Sequence, residues 1–166
     1  MPQGPTARVA DLVTHPLPPL LTGSPGAVTV LIGIKPAWRG MPLAAVAALR
    51  AAKTASDIVI KTAEAAKTAA AGTPGAPAAL AAEQAAKTAA LAAMGAAISA
   101  AGALSDIHMC ATPSPLPPHG PGVVIDGSAT VMINNMPACR LGDTLLEAIG
   151  PPNKIAAGCM TVIIGG

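Results

Sequence analysis

The chain has 166 residues, no Phe, no Tyr and a single Trp, Trp38, so its core must be built from Val, Ile, Leu, Met and Ala. That excludes a large aromatic-lined pocket. A net charge of +2 with scattered basic residues likewise excludes a nucleic-acid footprint of basic stripe and stacking aromatics. The opening "MPQGPTARVADLV" has no charged segment followed by an apolar run, and three cysteines is an odd number. The expectation is therefore no secretory signal and no disulfide framework, with the thiols left for metal ligation or burial.

Three compositional zones follow one another. Residues 1–41 are rich in Pro, Gly, Val and Ile; residues 42–104 are dominated by Ala; residues 105–166 return to the first style. In the first zone "AVTVLIGI" reads as a short β-branched strand running into a Gly-Ile turn at 33–34. The middle zone is helical by preference, because Ala loses least on entering a helix. It must break at "AAGTPGAPAA", where Pro74, Gly75 and Pro77 interrupt it. A helical hairpin is expected over roughly 43–70 and 77–104, with Leu43, Val46, Leu49 and Ile58 on one stripe and Leu91, Met94, Ile98 and Leu104 on the other. In the third zone "GVVID", "ATVMIN" and "MTVIIG" read as strands, with a hairpin turn at Asn134-Asn135.

The β zones repeat one phrase. "GAVTVLIGIKPAWRG" at 26–40 returns as "GSATVMINNMPACRLGD" at 127–143 and, cut short, as "GCMTVIIGG" at 158–166. An offset of 101 superposes Thr29, Val30, Ile32, Pro36, Ala37 and Arg39 on Thr130, Val131, Ile133, Pro137, Ala138 and Arg140; an offset of 31 carries Thr130, Val131 and Ile133 onto Thr161, Val162 and Ile164. A unit that cannot bury its own apolar face packs against its copies, so three copies predict pseudo-threefold packing. The fold class expected is mainly β: a small conical domain from 1–41 and 105–166, with 42–104 as an inserted helical hairpin.

All three histidines, His15, His108 and His119, fall in what read as loops beside strand units, and none falls in the helical zone. Asp11, Asp106 and Asp143 occupy comparable places, and four residues beyond each come His15, Cys110 and Glu147. Threefold packing would bring those positions together. With His108 and His119 they form a His/Cys cluster suited to tetrahedral zinc, which binds imidazole nitrogen and thiolate sulfur. The expected metal ligands are His15, His108, His119 and Cys110, with Cys159 and Glu147 as rivals for the fourth place. Cys139 reads as merely buried. No nucleophile elbow, zincin helix, phosphate loop or dinucleotide fingerprint is present, and no close pair of acids suggests acid–base chemistry, so a non-enzymatic protein is expected.

The phrases "TVLIGIKPAWR" and "TVMINNMPACRLGD" resemble the PAAR-repeat proteins, named for a Pro-Ala-Ala-Arg motif that stands here as Pro36-Ala37-Trp38-Arg39 and Pro137-Ala138-Cys139-Arg140. "HGPG", "RLGD" and "GPPNKI" followed by "GCMTVIIGG" are similar to family sequences too. The resemblance spans residues 5–41 and 105–166 and leaves out the alanine-rich zone. It implies a small β cone of pseudo-threefold character with Zn2+ held by His and Cys near its vertex. It also implies a blunt base seated on the trimeric VgrG-type spike of a bacterial type VI secretion system or a related contractile injection machine. Some members carry or recruit effectors. By motif the family's metal residues fall on His15, His108 and His119, while many members have Cys where this chain has Glu147. The expected location is the bacterial cytoplasm before firing, then the outside on the spike.

Three roles are open to the alanine-rich hairpin: a structural element packed beside the cone, a docking surface for an effector, its chaperone or the spike flank, and a membrane insert. Residues 88–104 carry no charge, yet the stretch is shorter than the roughly 20 residues a span needs, and Lys53, Asp57, Lys61, Glu64 and Lys67 disqualify the first helix.

Overall fold

The computed structural model describes residues 3–102, 104–113 and 117–165; Gly166, at the end of the third phrase, and residue 103 of the expected second helix lie outside them. Two of the repeated phrases form hairpins, β2 (Ala27–Ile32) with β3 (Lys35–Ala37) and β6 (Met132–Ile133) with β7 (Met136–Pro137). Their turns hold both central residues in the left-handed region: Gly33 at φ 53° and Ile34 at 66°, Asn134 at 50° and Asn135 at 64°. This is the turn whose twist matches the flanking strands.

The third phrase is not cut short. Its strand β10 (Cys159–Ile164) pairs antiparallel with β1 (Gly4–Thr6), so the chain's opening residues complete the unit its closing residues begin. Pro5-Thr6-Ala7-Arg8 is thus a third Pro-x-x-Arg segment. Two closed cycles of backbone hydrogen bonds join the three segments. The amide of Ala7 donates to the carbonyl of Cys139, Cys139 to Trp38, and Trp38 back to Ala7, at 2.8, 3.1 and 2.9 Å. The residues after each arginine repeat the pattern: Val9 donates to Pro36, Gly40 to Pro137, and Leu141 to Pro5, at 2.9, 2.8 and 2.8 Å. Ala7, Trp38 and Cys139 are fully buried in one cluster with Val13, Leu21, Val124, Leu145 and Ile155. One large and two small side chains share the space that three copies of one residue type could not fill evenly.

Each arginine is fixed in the same way. The backbone amide of Arg8, Arg39 or Arg140 donates to Oδ2 of Asp11, Asp106 or Asp143 at 2.9, 2.8 and 2.8 Å, and the guanidinium Nη2 donates to Oδ1 of that carboxylate at 2.9, 3.0 and 3.1 Å. Charge-assisted forks of this kind are the stronger hydrogen bonds. Arginine and aspartate are three residues apart in two units and sixty-seven apart in the unit that holds the helices.

Those helices are α1 (Leu43–Ala70) and α2 (Ala76–Ala101), with Pro77 in the first turn of α2, where its missing amide costs nothing. Val46, Leu49, Met94 and Ile98 pack on Val123, Ile125 and Leu146 of the β domain. The expected stripes are only half right, since Leu43, Ile58 and Leu104 are exposed whereas Lys53 and Ile60 are buried. With alanine on every side, neither helix has a sharply marked apolar face, and tertiary contacts choose it instead. No described helix is long and apolar enough to cross a membrane. The remaining sheet runs β4 (Ile107–Pro113), β5 (Pro118–Val124), β8 (Thr144–Glu147), β9 (Asn153–Lys154), each antiparallel to the next. His108 and His119 therefore lie on strands rather than in the loops the sequence suggested.

Candidate metal centre

Alternation along β4 turns His108 and Cys110 inward and leaves Met109 half exposed. Glu147 ends β8 and is fully buried. Between them, in register with both His108 and Glu147, lies Gly122 of β5. A Cβ there would stand 2.9 Å from Glu147 Cγ, so the glycine opens the gap across which side chains of the two outer strands meet. His15 comes from the segment after Val13, whose bridge to Ile155 and the Thr14 amide bond to Lys154 (3.0 Å) hold it over the sheet.

One donor atom each from His15, His108, Cys110 and Glu147 lies within 4.8 Å of all the others. The two Nε2 atoms of His15 and His108 are 2.7 Å apart, and His15 Nε2 is 3.3 Å from Glu147 Oε1. Four donors around a tetrahedral cation, at bond lengths of about 2.0–2.3 Å, stand roughly 3.3–3.8 Å from one another. All four side chains are buried, and Glu147 Oε1 has no hydrogen-bond partner among the described residues. A buried carboxylate oxygen left unpaired is costly, and a cation would supply what it lacks. The donor set fits: two neutral imidazoles, a thiolate and a carboxylate balance a divalent charge.

The electrostatics agree. Burial pushes His108 down to about 4, with the neighbouring His15 adding to the effect, and lowers His15 as well, so both rings are neutral ligands near pH 7. Burial also raises the Cys110 thiol and the Glu147 carboxyl. The pocket thus disfavours bare anions and favours a positive charge that would restore them. The Thr22 amide donates to His108 Nδ1 over a long 3.3 Å; in the metal-binding tautomer that nitrogen carries the ring proton, and this is the contact given up.

Of the residues expected as ligands, the structure gathers His15, His108 and Cys110, together with the rival Glu147. His119 lies on the far side of Glu147, with Nδ1 2.7 Å from Oε2. Cys159 is elsewhere: its Sγ is 3.3 Å from Thr161 Oγ1, in the hairpin cluster of Ala27, Ile32, Ala37, Ile133 and Ala138. Cys139 is fully buried.

Residues 116–166, which hold Pro137–Arg140, His119 and Glu147, match the family model of the PAAR motif. The chain carries a PAAR motif. The matched segment covers one complete PAAR unit and the strand half of another; the segments at Pro36–Arg39 and Pro5–Arg8 lie outside it. PAAR proteins belong to the spike tips of type VI secretion. Neither curated proteins nor solved structures gave a match to the chain. The arginine–aspartate forks and the third PAAR-like segment escaped the sequence reading, although Arg8 and Asp11 stand at the spacing of Arg140 and Asp143.

Proposed function

We propose that the protein is a structural tip that caps a trimeric VgrG-type spike, that residues 1–41 and 105–166 form the capping cone with 42–104 inserted in it, and that Zn2+ in the four-donor cluster clamps the cone. The role is structural rather than enzymatic, and the protein leaves the cell on the spike. The observation that carries this reading is the pair of closed hydrogen-bond cycles: one chain presents three equivalent units, which is what a threefold spike end can accept. The outward side chains support it. Leu31, Met132 and Ile163 are equivalent under the offsets of the repeat and are 62%, 51% and 53% exposed, an apolar triad on hairpins that also expose Val28, Ile34 and Met160. A zinc in the cluster would act as a staple joining segments nearly a hundred residues apart, as structural zinc sites do in domains with small cores.

The test is titration of the trimeric spike protein encoded beside this gene with wild-type protein and with the triple variant Leu31→Asp, Met132→Asp, Ile163→Asp. Loss of binding by a folded variant is expected; undiminished binding would move the interface off the triad. A second reading, an adaptor whose hairpin loads a cargo protein's apolar helix, draws on the open furrow between α1 and α2 lined by Ala52, Ala55, Val59, Ala89 and Ala93. Under that reading, lining the furrow with lysines abolishes cargo delivery and leaves capping intact.

A further inference from the structure

The two oxygens of Glu147 are divided between two tasks. Oε2 accepts a hydrogen bond from Nδ1 of His119 at 2.7 Å, while Oε1 faces His15 Nε2 at 3.3 Å and has no hydrogen-bond partner among the described residues. The His119 ring is seated separately. It lies against the backbone of Gly150, whose φ of +86° and missing Cβ make the space: a Cβ there would meet His119 Nε2 at 2.6 Å. The Ile149 amide donates to the His119 carbonyl at 3.1 Å and closes the turn. That turn is braced from outside the β domain, since Nζ of buried Lys53 on α1 donates to the Gly150 carbonyl at 2.9 Å.

We propose that His119 is a positioning residue that aims Glu147, that the Glu147 carboxylate rather than the His119 ring completes the donor set, and that Lys53 and the Gly150 turn hold His119 in place. This rests on the reading that the cluster holds a cation. The set is then two imidazoles, one thiolate and one carboxylate, borderline in softness and suited to Zn2+ or Co2+. The carboxylate is oriented by an imidazole, as a ligand is by its outer partner. The insertion takes part as well, because α1 supplies the brace.

The test uses the full chain loaded with one equivalent of Zn2+. X-ray absorption of the wild type is expected to count two imidazoles, one sulfur and one carboxylate oxygen. Chelator competition should show His119→Ala binding the same cation 10–100-fold more weakly. His119→Asn, whose amide N–H occupies the Nδ1 place, should recover most of that loss. Glu147→Ala should lose the cation as fully as His15→Ala. Three imidazoles in the wild-type spectrum would overturn the proposal without any variant needing to fold. So would a His119→Asn protein as damaged as His119→Ala and one imidazole poorer. A wild type that takes up no cation would sink the metal reading itself, and this proposal with it.

Discussion

The cone and the helical hairpin both bury apolar surface almost without aromatics, and they do it in opposite ways. The cone closes on itself through contacts between distant parts of the chain: two backbone cycles, three arginine–aspartate forks and the four-donor cluster. The hairpin relies on the helix preference of alanine and on an ion-pair chain of Lys67, Glu83, Lys87 and Glu64, of which the middle pair is buried. Only the cone has a shape that sequence repetition can fix, because each unit is completed by the next. Where two units join arginine to aspartate by a short turn, the third admits the whole hairpin and still forms its fork. The fork, not the loop, defines the unit.

The sharpest way to break the comparison is to replace residues 41–105 with a single glycine, which leaves two residues between Arg39 and Asp106 and so copies the turn between Arg140 and Asp143. A folded cone that binds one zinc is expected. Removing the helices uncovers Val123, Ile125 and Leu146, each worth about 1.5–3 kcal/mol when fully buried, so its urea midpoint should fall well below that of the whole chain. An unfolded product would mean that the hairpin is part of the core and not an insertion. Next in size is Arg39→Ala. It strands the fully buried Asp106 carboxylate and should cost about 3–5 kcal/mol in denaturant unfolding. A cost below 1 kcal/mol would reduce the fork to a surface ion pair.

Lys53→Met tests whether the two regions communicate. Losing a charged hydrogen bond to the Gly150 carbonyl should cost about 1.5–3 kcal/mol and weaken zinc binding in chelator competition. Stability lost with zinc affinity unchanged would separate α1 from the metal centre. The smallest effect has the opposite sign. Ile34 is β-branched, 93% exposed and at φ 66°, while the matching turn residue is Asn135. Relief of that strain should make Ile34→Asn more stable by about 1 kcal/mol, readable as a higher melting temperature; no gain would mean that the turn is unstrained.

Much of this was legible in the sequence. The repeated strands and the turns at 33–34 and 134–135 follow from local chemistry, and local chemistry survives in any context. The rule of four residues beyond each aspartate picked out His15, Cys110 and Glu147, because equivalent positions in a pseudo-threefold fold face one axis. The third unit was harder to see. Its halves are the two ends of the chain, and Pro5–Arg8 shares only its proline and arginine spacing with the other segments. The division of labour between His119 and Glu147 was not legible, since both are plausible ligands by type. It depends on where Gly122 and Gly150 leave room, which only the register of β5 with its neighbours determines. The buried face of each helix was illegible for a simpler reason: alanine carries almost no pattern.

Everything in the capping proposal turns on one chain supplying all three units. Light scattering on a sizing column, with the zinc-loaded protein mixed in excess with its trimeric spike partner, measures this directly. The expected result is a complex of one chain per trimer. Three chains per trimer, one on each spike subunit, or no complex between folded partners would contradict it.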